Sequence, residues 1–265
     1  METRGTKIAL GVWVALVLSF LYVPIGVICL YAFNESNVQS WPIASYTTKW
    51  FSPTIHNPDV QNALLLSLEC AAMATGIALV LGSLAAFGVH RFRFFGRELI
   101  SFVLVLPIAL PGIITGMALS SYFTYWGINL SFWTIVIGHA TFCVVVVYNN
   151  VLARLRRVPG SLTEASMDLG ADGVQTFRYV ILPSISTALI SGGLLAFALS
   201  FDEVIVTTFT AGAQNTLPIW IFGQIRLGQQ LPQVNVVVFL ILALTIVPVA
   251  LAQRLTRESG ILRTE

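Results

Sequence analysis

The sequence predicts an all-α membrane protein with six transmembrane helices and both termini in the cytoplasm. Three observations predict it. Of 265 residues, 56% are hydrophobic and 10% charged, with a mean hydropathy of +0.83, whereas soluble domains carry about a quarter charged residues. Six apolar runs reach the roughly 20 residues that a membrane helix needs. The basic residues divide unequally between the connecting loops. A chain so poor in charge lacks the polar surface to face water all round. Its net charge of +2 gives no footing for nucleic acid, and lipid is the expected surrounding.

The runs fall at about residues 8–33, 60–89, 99–123, 132–152, 185–207 and 234–255, and together they predict a single membrane domain over 1–265. Arg4 and Lys7 precede the first run as they would a signal peptide. The run is too long for such a segment and no small-residue cleavage site follows, so it reads as a retained helix. With the N-terminus inside, Arg4, Lys7, Arg91, Arg93, Arg97, Arg154, Arg156, Arg157, Arg178, Arg254, Arg257 and Arg263 are cytoplasmic, leaving only Lys49 and Arg226 outside.

Prolines fall inside the runs at 24, 107, 111 and 248. Each removes a backbone hydrogen bond and invites a kink, which a membrane helix tolerates where neighbours satisfy the freed carbonyl. "LPIALPG" in the third run is the densest case, open to reading as ordinary kinked packing or as a bend lining a pathway. Outside, residues 34–59 hold "SYTTKWF", an aromatic belt at the interface or a docking surface. Residues 208–233 hold "TLPIWIFGQIRLG", a short helix in the interface or dipping into a cavity.

Catalytic chemistry is not expected. No phosphate-binding glycine loop with its lysine is present, so the chain does not itself hydrolyse ATP, and no Ser–His–Asp arrangement appears. His56, His90 and His139 fall in different compartments under this topology. Cys29, Cys70 and Cys143 lie in apolar runs without metal-ligand spacing, as small packing residues.

The stretch "EASMDLGADGVQTFRYVILP", residues 164–183, breaks the apolar pattern. Read as a helix over 162–172, it puts Leu162, Ala165 and Leu169 on one side and Glu164, Asp168 and Asp172 on the other. Ser161 or Thr163 suits its start. Gly170 and Gly173 suit its end. A second helical piece over 174–182 follows, and Pro183 opens the next span. A loop of about 30 residues (153–183), with an apolar and an acidic edge, suits docking to a cytoplasmic partner.

This stretch resembles the loop of permease subunits in bacterial ABC importers, whose pattern runs E-A-A, then G, then I-x-L-P. Glu164, Ala165, Gly170 and Pro183 fit, and Ser166 replaces the third motif alanine. Together with "TTKWF", "GHATFCVVVVYNN", "LSFDEVIVTTFTAG" and "TLPIWIF", it is similar to the second permease subunit of spermidine/putrescine importers or its polyamine-permease paralogues. The resemblance implies a type I importer permease fold with a cytoplasmic coupling helix, carried here by Glu164, Ala165, Asp168, Gly170 and Pro183. It also implies a bacterial inner-membrane location. The implied partners are a second homologous permease, two ATPase subunits holding ATP and magnesium, and an extracytoplasmic binding protein. This chain itself would hold no cofactor or metal.

Asp202 and Glu203 stand 19 residues past Pro183, roughly 28 Å along a helix. A carboxylate inside a membrane is costly and commonly faces a cavity or partner. Carboxylates bind ammonium groups by charge-assisted bonds, and Phe201, Phe209 or Trp220 could cover a methylene chain. The expected pathway residues are therefore Asp202, Glu203, Phe201 and Trp220, with Glu69 as a further acid. Two alternatives stand beside polyamine import: the same machine with another small solute, and an ATP-independent channel or secondary transporter.

Overall fold

The computed structural model describes residues 4–92 and 94–245. Arg93, Pro248, Arg254, Arg257, Arg263 and the end of the sixth expected span lie outside the described residues. Those described are helical apart from loops and one isolated bridge, Asn34 to Tyr46. The helices are α1 (Arg4–Tyr31), α2 (Phe51–Ile55), α3 (Pro58–Arg91), α4 (Arg97–Ala109), α5 (Gly112–Tyr125) and α6 (Phe132–Leu155). They continue as α7 (Gly160–Asp168), α8 (Gly173–Thr176), α9 (Leu182–Phe201), α10 (Ile205–Thr210), α11 (Leu217–Leu227) and α12 (Leu231–Thr245). Four stretches among the described residues are long and apolar enough to cross a membrane alone: α1, α3, α6, and Gly173–Phe201. The α4–α5 pair makes a fifth if counted as one span.

The chain divides into two units, Asn62–Trp220, and Met1–Gln61 with Ile221–Glu265. In the latter, α1 runs unbroken through Pro24 and buries no residue of its own. The segment after it is tied down by short-range bonds. The Trp50 indole N–H donates to the Asn34 carbonyl at 3.0 Å, and Phe33, Phe51 and Phe239 form a ring cluster with centroids 5.2–5.8 Å apart. Lys49 pairs with Glu35 at 3.8 Å. The Ser45 hydroxyl, followed by the Lys49 charge, holds the Glu35 carboxyl below its usual range. Trp41 and Tyr46 stay exposed.

The Asn62–Trp220 unit is built around α6, whose buried face includes Cys143, Val147, Tyr148 and Val151. Membrane helices gain nothing from excluding water from one another, so small residues that let backbones approach carry the packing. Gly82 of α3 meets α6 this way. A methyl there would lie 2.8 Å from the Val144 carbonyl oxygen and 3.0 Å from the Tyr148 nitrogen. Gly192 of α9 meets Asn150 and Val147, and Gly116 of α5 meets Phe209. Backbone at Val144 and Tyr148 cannot swing aside as a side chain can. Gly82→Ala is therefore expected to cost about 1–3 kcal/mol, seen as a lower thermal midpoint of the detergent-purified protein. An unchanged midpoint would show that α3 and α6 can part freely.

The third expected span is not one kinked helix. α4 and α5 meet at 102°. Leu110 is extended (φ −81°, ψ 143°) and Pro111 precedes the first turn of α5. A residue before proline is pushed out of the helical region, so "ALPG" ends one helix and starts another. The turn lays α5 against α10, with Gly112 beside Ile205 and Gly116 beside Phe209.

Candidate functional site

The 164–183 stretch folds as a helical hairpin before α9. α7 starts at Gly160, after Pro159, earlier than the amphipathic phase suggests, and it ends at Asp168 without a side-chain cap at its start. Gly170 adopts φ +87°. The Gly170 and Ala171 amides donate to the Met167 and Ser166 carbonyls at 2.9 and 3.1 Å. This is the paired closure of a helix end that a left-handed glycine permits. Gly173 does not end a helix. It begins α8, which Asp172 caps by accepting from the Gln175 amide at 2.8 Å while the Gln175 side chain accepts from the Asp172 amide at 2.9 Å. The hydroxyls of Ser166 and Thr176 meet at 3.1 Å, so the serine at the third motif position joins α7 to α8. A wide-turn segment, Phe177–Ile181, then leads into α9, with Pro183 in its first turn.

Glu164, Ala165 and Asp168 are exposed along α7, and Gly170 and Pro183 are exposed beyond it. Glu164 lies at an apolar cavity of about 830 Å³, also lined by Phe87, His90, Met167 and Phe177. Arg154, at the end of α6, donates to the Ser184 carbonyl at 2.8 Å, which fastens the hairpin's return to the long helices. The arrangement is a hydrogen-bonded knob whose exposed side carries Glu164, in no ion pair among the described residues.

Asp202 and Glu203 do not continue the helix. α9 ends at Phe201, Asp202 has φ −92° and ψ 2°, and α10 begins at Ile205. The two acids therefore part by the geometry of a break, not by the 100° step of a helix. Asp202 is exposed. The Glu203 carboxylate turns onto α10, accepting from the Val206 amide at 2.9 Å, a capping role favoured at a helix start. Neither acid is in an ion pair among the described residues.

The other expected pathway residues are not gathered at the break. Phe201 adjoins Asp202 and stacks on Phe197 with centroids 6.3 Å apart. Trp220 is 94% buried in α11, with no hydrogen-bond partner for its indole nitrogen among the described residues. Glu69 is exposed on α3. Two residues before it, the Ser67 hydroxyl accepts from the Leu217 amide at 2.8 Å.

Three residues beside the break were missed by sequence reasoning: His139, Ser200 and Thr207. His139 is 1% exposed. Its Nδ1 lies 2.8 Å from Ser200 Oγ and its Nε2 lies 2.8 Å from Thr207 Oγ1. The available signal was one polar ring inside an apolar run, facing hydroxyls on each side of the acid pair.

Comparison with known proteins gives a consistent outcome. Residues 78–258 match the family model of the binding-protein-dependent transport system inner membrane component. The chain is 36% identical over 233 residues to the putrescine transport system permease protein PotI of Escherichia coli (strain K12), covering 84% of this chain and 82% of that protein. It is 32% identical over 246 residues to the spermidine/putrescine transport system permease protein PotC of Haemophilus influenzae, covering 92% and 95%. Among solved structures, a bacterial ABC transporter involved in the import of the acidic polysaccharide alginate superposes with a TM-score of 0.69 at 15% identity, over 97% of this chain and 98% of that one. That likeness concerns the fold. The helical frame built on α6, the hairpin before α9 and the match over 78–258 lead to one statement: the chain belongs to the inner membrane components of binding-protein-dependent transport systems.

Proposed function

We propose that this chain is a permease subunit of an ATP-driven importer of polyamines, with Asp202 as its cation-recognising group. The observation that carries the cargo is Asp202 itself. It is an exposed carboxylate without an ion partner among the described residues, held in a helix break between two apolar helices. An acid in such a place is expensive unless it meets a cavity or a cation, and an ammonium group supplies the charge-assisted bonds it lacks. The substrates named for the similar permeases, putrescine and spermidine, support the same class.

In this reading the chain pairs with a second permease, and the two enclose the pathway. A binding protein delivers the cation from outside. Two ATPase subunits, which hold the ATP and magnesium, dock on α7 through Glu164 and its neighbours. The excess of basic residues on one set of loops supports a cytoplasmic position for α7. Closure of the ATPases moves the hairpin, and the Arg154–Ser184 bond passes that movement to α6 and α9. No bond of the substrate is made or broken. Each positive charge entering a negative-inside cell gains about 2.3 kcal/mol per 100 mV, so the potential favours uptake and ATP supplies gating.

The test is ATPase activity of the complete transporter in proteoliposomes with its binding protein. Spermidine or putrescine is expected to stimulate hydrolysis. No stimulation by either, with another solute active, would overturn the cargo. Uptake by this chain without an ATPase would overturn the mechanism.

A further inference from the structure

We infer that His139 is a positioning residue for the acidic break: it ties the end of α9 to the start of α10 and so sets where Asp202 points. The inference rests on the cation reading of Asp202 and adds the device that aims it.

The bonds have a definite direction. The Thr207 hydroxyl donates to the Glu203 carbonyl at 2.6 Å, so its one proton is used and it accepts from His139. Nε2 therefore carries the hydrogen, and Nδ1 accepts from the Ser200 hydroxyl, each at 2.8 Å. A neutral imidazole has one donor and one acceptor on opposite edges, which suits a bridge between two hydroxyls. The chain runs from Ser200 through His139 and Thr207 to the Glu203 carbonyl. It begins two residues before Asp202 and closes on the residue after it.

The rest of α10 is fixed to the same helix. The Thr134 hydroxyl bonds to the Thr210 carbonyl at 2.7 Å, at the far end of α10. Gly138 lets Val206 approach, since a methyl there would lie 3.1 Å from Val206 Cγ1. α10 is thus pinned to α6 at both ends, and Glu203 adds its own bond to the Val206 amide. Three residues without regular structure, 202–204, are left with their geometry set from outside. A buried histidine that only filled the core would satisfy its nitrogens anywhere. This one joins the two sides of the break that carries the acids.

The experiment measures spermidine-stimulated ATPase activity of the complete reconstituted transporter for His139→Leu, His139→Gln, Asp202→Asn and the pair His139→Leu with Asp202→Asn. Assembly is checked by size exclusion. His139→Leu is expected to raise the half-saturating spermidine concentration about tenfold, the scale of coupling between contacting groups, with the maximal rate largely kept. His139→Gln, which keeps a donor and an acceptor, is expected to recover part of it. In the Asp202→Asn background, His139→Leu is expected to add little. Equal shifts in both backgrounds, or a fall in maximal rate alone, would overturn the positioning role. An unchanged half-saturation for Asp202→Asn by itself would instead defeat the cation reading. Should His139→Leu fail to assemble, Ser200→Ala with Thr207→Val cuts the same bridge and serves in its place.

Discussion

Glu164→Lys is expected to abolish coupled uptake while the helices still insert. Glu164 lies exposed on α7 and makes no hydrogen bond or ion pair among the described residues. The bonds that shape the hairpin belong to Gly170, Ala171, Ser166, Thr176 and the Asp172–Gln175 pair. Reversing the charge at Glu164 breaks none of these, and surface substitutions of this kind usually fall within about 0.5 kcal/mol of neutral. At a docking surface the same change is severe. Spoiling one partner of a buried charged contact costs about 2–5 kcal/mol, and 2 kcal/mol is already about a thirtyfold loss of affinity. Membrane levels of the variant by immunoblot should match wild type, with spermidine uptake and ATPase co-purification lost. Normal co-purification and uptake would remove Glu164 from the ATPase contact.

Asp202→Asn is expected to raise the half-saturating spermidine concentration by about tenfold to a hundredfold without loss of assembly. Hydrogen bonds to a charged group contribute about 1.5–3 kcal/mol, and 1.4 kcal/mol is tenfold in affinity. Asparagine keeps the size and one acceptor but removes the charge. Glu203→Gln is a useful contrast. The Glu203 carboxylate accepts from the Val206 amide, and an amide oxygen can accept that bond too. Its shift should be much smaller. Equal shifts for the two variants would mean that the acids act as a pair and that the break does not separate their roles.

The helical frame was legible because one property dominates it. A 20-residue apolar run has few places to go except a bilayer, so the spans near 60–89 and 132–152 reappear as Pro58–Arg91 and Phe132–Leu155 within a few residues. The hairpin before α9 was legible for a local reason: glycine and proline punctuate helices wherever they sit. Gly170 does so here with its positive φ, and Pro183 sits in a first turn. What could not be read depended on neighbours. The third run reads as a span with kinked packing or a bend, and nothing in "LPIALPG" alone gives the 102° between α4 and α5, which goes with the packing of α5 on α10.

By itself, then, the sequence determined the class of molecule, its long unbroken helices and the punctuation of the hairpin before α9, because hydropathy and turn chemistry act over a few residues. Only the tertiary structure separated Asp202 from Glu203. As sequence neighbours they are interchangeable acids. In space one accepts from an amide of α10 and the other is exposed, with no ion pair among the described residues, because the helix stops at Phe201. Only the fold, too, brought His139 to Ser200 and Thr207, residues 61 and 68 positions away. A buried polar ring must find partners, and which partners it finds is decided by how helices far apart in sequence are packed.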